Sequence, residues 1–133
     1  MVYNCTIEKD GDMFWAQFPD MPNVLTCGFT HEHALEMAKE ALDACLEVEV
    51  SHGMPIRPPE HASGHPVSVA SHIALSLHLR ELRGQQSQSE VAGKLGMSYQ
   101  AYQRLENPRK ANPTVKTLEK IARAYGRELR ISL

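Results

Sequence analysis

Polar side chains between positions 98 and 104 have the chemistry that reads DNA base pairs. A Gln pairs bidentately with adenine, an Arg pairs with guanine, and a Tyr ring packs on a thymine methyl group or reaches a phosphate. These groups are Tyr99, Gln100, Gln103 and Arg104, and Ser98 precedes them as a helix cap. The other side of the same helical pattern is apolar and consists of Ala101, Tyr102 and Leu105. The spacing predicts a helix that presents its N-terminal side chains to the major groove.

Another short helical pattern comes immediately before this one. Ser87 and Glu90 have the Ser-x-x-Glu spacing of a capping box. Ala92 is a small residue at which two helices can meet, and Gly96 supplies a tight, left-handed stop. Two helices joined in this way form a helix-turn-helix unit. A small helical hairpin with a polar face is the alternative, but here the cap, the turn and the groove-facing side chains coincide.

The same stretch resembles the Xre/Cro-type repressor family over roughly residues 70–126. The family pattern is Gln-x-x-x-Ala-x-x-x-Gly, a turn, a recognition helix, and a closing Leu-Glu-Asn before a basic loop and Asn-Pro. The matching residues are Gln88, Ala92, Gly96, Leu105, Glu106, Asn107, Arg109, Lys110, Asn112 and Pro113. The chain departs from the family at Pro108, where Gly is frequent.

The resemblance implies a role for individual residues. Tyr99, Gln100 and Arg104 hold the base-reading positions, Gln88 contacts a phosphate, and Glu106 pairs inward without touching DNA. The full set predicted to contact DNA is Gln88, Ser98, Tyr99, Gln100, Gln103, Arg104, Arg109 and Lys110.

Charge is distributed unevenly along the 133 residues. Residues 1–60 hold three Lys or Arg against eleven Asp or Glu, a net charge of −8, whereas residues 61–133 hold eleven against five, a net charge of +6. The basic part suits a polyanion, whose phosphates supply most of the non-specific affinity. The acidic part is repelled by DNA, so a basic partner suits it.

Composition predicts a globular, cytoplasmic protein. The hydrophobic share is 42% and the charged share 23%, and no apolar run reaches the ~20 residues of a membrane span. No signal peptide is expected at the start. Cys5, Cys27 and Cys45 are odd in number and widely spaced, which indicates reduced core thiols.

The N-terminal part alternates between polar and apolar residues in three segments. Val2–Glu8, Met13–Phe18 and Val24–Gly28 are predicted to form an antiparallel meander. Thr30 then caps a helix that runs to about Val50, whose apolar side packs on the sheet. Its opposite side has an acidic stripe, which is either a solvated face or a surface for a basic partner: Glu36, Glu40, Asp43 and Glu47.

The remaining segments complete the predicted organisation. Residues 51–69 are rich in Pro and Gly and are predicted to be a linker, with a fourth strand of the sheet considered near 66–69. Residues 70–126 form the DNA-binding domain. Residues 127–133 alternate again, and because a lone terminal strand needs a partner, pairing with a second subunit is expected. The dimerisation residues are Leu129, Ile131 and Leu133.

Residues Gly11–Leu42 resemble the HicB antitoxin family. The residues that carry the resemblance are Gly11, Phe18, Pro19, Asp20, Met21, Pro22, Thr26, Cys27, Gly28, Thr30, Ala34, Ala38 and Ala41. The chain departs from the family at His33, where Glu is usual.

The resemblance implies an α+β chain with an N-terminal β-β-β-α-β domain of partial RNase H-like fold at residues 1–50. That domain would bind HicA, a small mRNA-cleaving toxin, while the all-α C-terminal domain binds double-stranded operator DNA and represses its own operon. A homodimer is expected on a palindromic site, and a tetramer stays open. No cofactor and no membrane contact are expected.

Specific residues bear on other possible functions. A nuclease would use Glu8, Asp10, Asp12 and Asp20, but the turn at Gly11 already explains two of these carboxylates. The histidines at 31, 33, 61 and 65 lack the spacing of a zinc site. Trp15 and Phe29 are predicted to be core residues in preference to docking residues. A stand-alone repressor with a small-molecule-sensing N-terminal domain is the alternative function.

Overall fold

The computed structural model describes residues 1–133. The chain divides into two compact units, Met1–Ala74 and Leu75–Leu133. The first is a mixed α/β unit and the second is helical. None of the helices combines the length and the apolar character that crossing a membrane requires.

The N-terminal unit is a four-stranded antiparallel sheet covered by one helix. Its strands are β1 (Val2–Asp10), β2 (Met13–Phe18), β3 (Met21–Gly28) and β4 (His65–Ser68), arranged in the order β3-β2-β1-β4. The helix α1 (His31–Ser51) lies between β3 and β4 in sequence. The element order is therefore the predicted β-β-β-α-β, with the fourth strand one residue earlier than expected.

The sheet buries the face that α1 covers. Side chains alternate across a strand, so Tyr3 and Cys5 of β1 and Ala16 of β2 are fully buried. Gly11 has a φ of 62° in the turn between β1 and β2, a conformation that favours glycine.

Helix α1 begins at the predicted cap and packs very closely on the sheet. The Thr30 Oγ1 accepts a hydrogen bond from the His33 N–H at 3.0 Å. A Cβ atom at Gly28 would lie 2.4 Å from the Ala34 backbone nitrogen, so only glycine permits this approach. The buried residues of α1 are Ala34, Ala38, Leu42, Leu46 and Val50.

Residues 52–64, which the sequence predicted to be part of a linker, are hydrogen-bonded to side chains of the N-terminal unit. The Asp20 Oδ2 accepts the backbone N–H groups of Glu60 at 3.0 Å and His61 at 2.8 Å. The Asn4 Nδ2 donates to the His61 carbonyl at 2.8 Å. The division between units falls after Ala74, inside a helix, and differs from the predicted boundaries. Prolines and glycines prevent regular structure here, but they do not prevent side chains from bonding to the backbone.

The C-terminal unit is built from short helices around one small core. They are α2 (Ser71–Arg83, which begins in the N-terminal unit), α3 (Gln88–Leu95), α4 (Tyr99–Leu105) and α5 (Val115–Ala124). The buried core residues are Leu79, Val91, Ala92, Leu95, Tyr102, Leu105 and Ile121.

The last seven residues form no strand within the chain. The Arg127 N–H donates to the Ala122 carbonyl at 2.8 Å. Ile131 is 62% exposed and Leu133 is fully exposed. The single chain has no strand next to this segment. The pairing of residues 127–133 with a second subunit therefore stays a prediction.

Replacing Gly28 with Ala should destabilise the N-terminal unit, because the new methyl group would collide with the backbone of α1. We expect a loss of about 1–3 kcal/mol, as for other overpacked sites. Urea unfolding monitored by Trp15 fluorescence reports on this unit, since Trp15 is the chain's one tryptophan. Gly93→Ala is the control, because a Cβ there meets nothing within 4 Å. Equal Trp15 transitions in the two variants would contradict the close-approach explanation.

Candidate nucleic-acid interface

The helix-turn-helix has the caps and the turn that the sequence predicts. The Ser87 Oγ accepts the Glu90 N–H at 3.0 Å, and the Ser98 Oγ accepts the Ala101 N–H at 3.1 Å. Gly96 has φ 65° and ψ 34°, the left-handed conformation that ends α3. Each cap satisfies a backbone donor at a helix start that has no partner inside its own helix.

An ion pair between half-buried Arg83 and buried Glu106 fixes the end of α4. Glu106 is only 7% exposed. Its Oε2 lies 2.7 Å from the Arg83 Nε and its Oε1 lies 3.0 Å from the Arg83 Nη2. The two parallel bonds make the pair bidentate, which fixes direction as well as distance. The inward pairing expected of Glu106 is therefore present, and its partner is the last residue of α2.

Two further groups strengthen the same junction. The Ser76 Oγ of α2 donates to the Leu105 carbonyl at 2.8 Å in the interior. The Gln88 Nε2, at the first residue of α3, lies 3.3 Å from the Glu106 Oε1. Three helices thus meet at one carboxylate. Burial by itself raises the pKa of Glu106, but the hydrogen bonds and charge of Arg83, with Gln88, outweigh it and leave the pKa below its ordinary value.

The predicted base-reading residues share one exposed side of α4. Tyr99 is 42% exposed, and Gln100, Gln103 and Arg104 are exposed beside it. The Gln103 Nε2 lies 3.4 Å from the Tyr99 hydroxyl. Tyr102 and Leu105 are buried, as the apolar pattern predicts.

Ala101 departs from the prediction because it is exposed on α4 instead of facing the core. Ala101 is the third of the seven residues of α4, and the only buried residues of this helix are Tyr102 and Leu105.

The basic loop after α4 forms a tight turn whose shape explains Pro108. The Lys110 N–H donates to the Asn107 carbonyl at 3.0 Å, which closes a four-residue turn with proline at its second position. The Asn107 Oδ1 also accepts the Arg109 N–H at 3.1 Å. Asn at the first position and Pro at the second are the residues that such turns favour. Arg109 and Lys110 are exposed on this turn.

The structure exposes most of the residues predicted to contact DNA but gives Gln88 a different environment. Ser98, the exposed side of α4 and the basic turn are all open to solvent. Gln88 is half-buried and bonded to Glu106. Its phosphate contact stays a prediction, as do the individual contacts of the other residues.

Additional cations on this unit were not singled out from the sequence. Lys94, Lys116 and Lys120 are exposed. The Lys120 Nζ lies near Gly96, 3.6 Å from where a Cβ would stand there. The one signal for them in the sequence is the net charge of +6 of residues 61–133.

The acidic stripe of α1 is less uniform than its spacing predicts. Glu36 and Glu40 are exposed, whereas Asp43 and Glu47 are half-buried. The Asp43 Oδ2 pairs with the Lys39 Nζ at 3.0 Å, and its Oδ1 accepts the Ala70 N–H at 2.9 Å. Asp43 therefore holds the start of α2 and does not stand free on the helix surface.

Of the carboxylates considered for metal chemistry, Asp20 has a structural role, and Glu8, Asp10 and Asp12 are exposed. Asp20 is 6% exposed and accepts two backbone donors from the 52–64 segment. Asp10 ends β1 next to the turn at Gly11. The His31 and His65 rings meet edge to face with centroids 4.7 Å apart. No group of three or more His, Cys, Asp or Glu side chains is placed to hold a metal ion.

The two aromatic residues expected in the core are on the surface. Trp15 is 39% exposed and Phe29 is 72% exposed. Trp15 lies on the sheet face that α1 does not cover. Phe29 follows the last residue of β3 and stacks on the His33 ring at 5.6 Å and 11°. One helix covers one face of a sheet, so an aromatic residue on the other face finds no core to enter.

Comparison with known proteins decides the family. Residues 2–79 match the family described as "HicB_like antitoxin of bacterial toxin-antitoxin system", and residues 79–131 match the "Helix-turn-helix" family. The chain belongs to the HicB-like antitoxin family. It is 33% identical to "Antitoxin HicB 1" of Photorhabdus laumondii over 139 residues, which covers 100% of this chain and 87% of the relative. It is 31% identical to "Antitoxin HicB" of Escherichia coli K12 over 122 residues, which covers 87% of this chain and 86% of the relative.

Replacing Glu106 with Gln should destabilise the helix-turn-helix unit at neutral pH by about 1–3 kcal/mol, because half-buried Arg83 would keep its charge without a charged partner. The pKa of Glu106 is lower in the folded state than in the unfolded chain. Ionised Glu106 therefore contributes fully to the free energy of unfolding above the ordinary carboxyl pKa of about 4.3, and this contribution is lost as pH falls through the lower folded-state pKa.

Urea unfolding of both proteins at pH 7 and pH 3 measures this linkage, with helical circular dichroism as the probe. The difference between wild type and variant should shrink at the lower pH. If the difference in unfolding free energy between wild type and Glu106→Gln is the same at pH 7 and pH 3, the lowered pKa of Glu106 is contradicted.

Proposed function

We propose that this chain is an antitoxin that binds and neutralises a small, basic, mRNA-cleaving toxin of the HicA type and represses its own operon. The observation that carries the proposal is the opposite charge of the two units. Residues 61–74 contain no Asp, Glu, Lys or Arg, so the charge of −8 belongs to Met1–Ala74 and the charge of +6 to Leu75–Leu133. A cationic protein and an anionic duplex thus have separate complementary units.

For DNA, the proposed roles follow from chemistry and placement. Gln100 and Arg104 would read base edges from the exposed side of α4, with Tyr99, Gln103 and Ser98 beside them. Arg109 and Lys110, on the turn after α4, would neutralise phosphates. Gln88 would reach a phosphate from the start of α3. The expected target is an inverted repeat of double-stranded DNA, because two copies of the unit would bind half-sites about 34 Å apart.

For assembly, we propose a homodimer that forms through the C-terminal segment. Its apolar side chains alternate, and pairing with the same segment of a second copy would satisfy the backbone groups and bury these residues. They are Leu129, Ile131 and Leu133.

For the toxin, we propose that the N-terminal unit is a shortened RNase H-like fold that has a binding role only. Glu36, Glu40 and Glu47 would attract the cationic toxin to the unit, and Asp43 would contribute mainly by holding the start of α2. No cofactor and no membrane enter this scheme, and toxin and operator would both be met in the cytoplasm.

The alternative is a stand-alone repressor whose N-terminal unit senses a small molecule. It requires an enclosed ligand site among residues 1–74. The groove beside Trp15, about 420 Å³ in volume, is lined by exposed residues and does not favour that alternative.

Ala substitutions at Tyr99, Gln100 and Arg104 should each weaken binding to the chain's own promoter fragment. A lost base contact costs about 1–3 kcal/mol, which corresponds to roughly 5- to 150-fold in affinity. Fluorescence anisotropy at fixed salt, with a scrambled duplex of equal length, measures both affinity and specificity.

Arg109→Ala should weaken binding to both duplexes alike, since phosphate contacts do not read sequence. Arg123→Ala is the control of equal charge, because Arg123 pairs with Glu119 at 2.7 Å on α5. Unchanged promoter affinity in all three α4 variants would refute the assignment of the recognition helix.

Reversing Glu36 and Glu40 together to Lys should slow association with the toxin encoded beside this chain's gene. The change removes attraction between exposed charges, so it should be several-fold at low salt and should shrink as salt is added. Stopped-flow association rates measure it.

Glu81→Lys with Glu128→Lys is the matched control, because it changes the net charge equally but alters only the C-terminal unit. Promoter binding should survive the Glu36 and Glu40 reversal. If both double variants slow association with the toxin equally, the effect comes from net charge alone and not from the position of Glu36 and Glu40.

A further inference from the structure

The sheet of the N-terminal unit has one covered face and one open face. Helix α1 covers the first, where Tyr3, Cys5 and Ala16 are buried. The second face carries exposed side chains at β1, β2 and β3. We define the open sheet face by Glu8, Trp15, Gln17 and Leu25.

The strand register makes the apolar residues of this face neighbours. Gln17 is paired with Leu25, and Trp15 is paired with Glu8 on one side and Cys27 on the other. Trp15 and Leu25 are therefore diagonal neighbours across β2 and β3, within reach of each other on one face. Together they border a groove of about 420 Å³.

Both of these apolar residues are exposed to solvent in the single chain. Trp15 is 39% exposed and Leu25 is 58% exposed. Single exposed apolar residues are normal, but a paired aromatic and aliphatic residue inside a polar rim is typical of an interaction site. Trp is also the residue type most enriched among the few that contribute most of the binding energy at protein interfaces.

We propose that the open sheet face is the surface on which the cationic toxin is seated, with Trp15 and Leu25 buried at the centre of the contact. This inference rests on the proposed function and names the surface that performs it.

Charge identifies the occupant as a basic protein and not as a second copy of this chain. Glu8 and Asp10 line the groove, and the one cation there, Lys9, has its Nζ 5.7 Å from the centre of the Phe14 ring. A second copy would bring another unit of charge −8 against this one, which like-charge repulsion opposes. An Arg or Lys of a toxin would instead meet carboxylates and could stack on the indole.

The open sheet face and the acidic stripe of α1 then have different roles. Because α1 covers the opposite face of the sheet, its outward charges point away from the open face. Exposed charges at a distance mainly change association rates, whereas central buried contacts mainly set dissociation rates. Glu36 and Glu40 would attract the toxin, and Trp15 and Leu25 would retain it.

The chain provides a direct reporter, because Trp15 is its single tryptophan. The full-length chain labelled with 5-fluorotryptophan should give one ¹⁹F resonance. The unlabelled toxin, encoded beside the gene, is purified from the co-expressed complex. Titration with this toxin should change the chemical shift of the Trp15 resonance. The shift should also stop depending on solvent composition, because the indole is then buried. Dilution of the labelled chain alone should leave it unchanged.

The variant Leu25→Ser should raise the toxin dissociation rate at least about tenfold while the association rate changes little. Val48→Ser is the matched control, because Val48 is 40% exposed on α1, away from the open sheet face. Leu25 is exposed, so the unfolding midpoint in urea should match the wild type, and this measurement checks the fold.

Each result has a distinct consequence. A saturated complex that leaves the Trp15 resonance unchanged, or equal dissociation rates in Leu25→Ser and Val48→Ser, overturns the open sheet face and leaves the antitoxin function standing. A resonance that moves with the concentration of the chain alone assigns the face to a second copy and overturns the inference. Failure of the wild-type chain to bind the toxin at all overturns the proposed function together with it.

Discussion

The ion pair of half-buried Arg83 and buried Glu106 is the interaction on which the helix-turn-helix unit depends. Helix α4 has only seven residues, and isolated helices shorter than about 12 residues are marginal in water. Its inner side contributes just Tyr102 and Leu105 to the core. The end of α4 is therefore held by α2, through the bidentate pair and through Ser76. Such a pair is costly to desolvate, so its value lies in fixing one geometry for the exposed side chains of α4.

Carboxylates also fix the chain in the N-terminal unit, where they accept hydrogen bonds from backbone N–H groups that no strand or helix satisfies. Asp20 holds the irregular segment after α1, and Asp43 holds the residue before α2. Each lies far along the chain from its donors. Spacing alone made Asp43 a candidate for a partner surface and Asp20 a candidate for metal chemistry, and three-dimensional contacts give both a structural use. The exposed carboxylates of Glu36 and Glu40 remain available to a partner.

The sequence predicted the features that depend on neighbouring residues and missed those that depend on distant ones. Caps at Thr30, Ser87 and Ser98 are local, and so is the left-handed turn at Gly96; each has the expected geometry. The attachment of residues 52–64 depends on Asp20, some 40 positions earlier. The exposure of Trp15 depends on how many faces of the sheet are covered, which alternation in one strand cannot reveal. Pairing of the last seven residues requires a second chain, so neither a single sequence nor a single subunit tests it.

The turn from Asn107 to Lys110 has a consequence for the mobility of the two cations on it. Proline at its second position restricts the free loop, and Pro108 is also buried against the rest of the unit. A restricted loop has less conformational entropy to lose when its cations are immobilised on a polyanion. Pro108 therefore leaves the cationic pair that follows it, Arg109 and Lys110, preorganised on the turn.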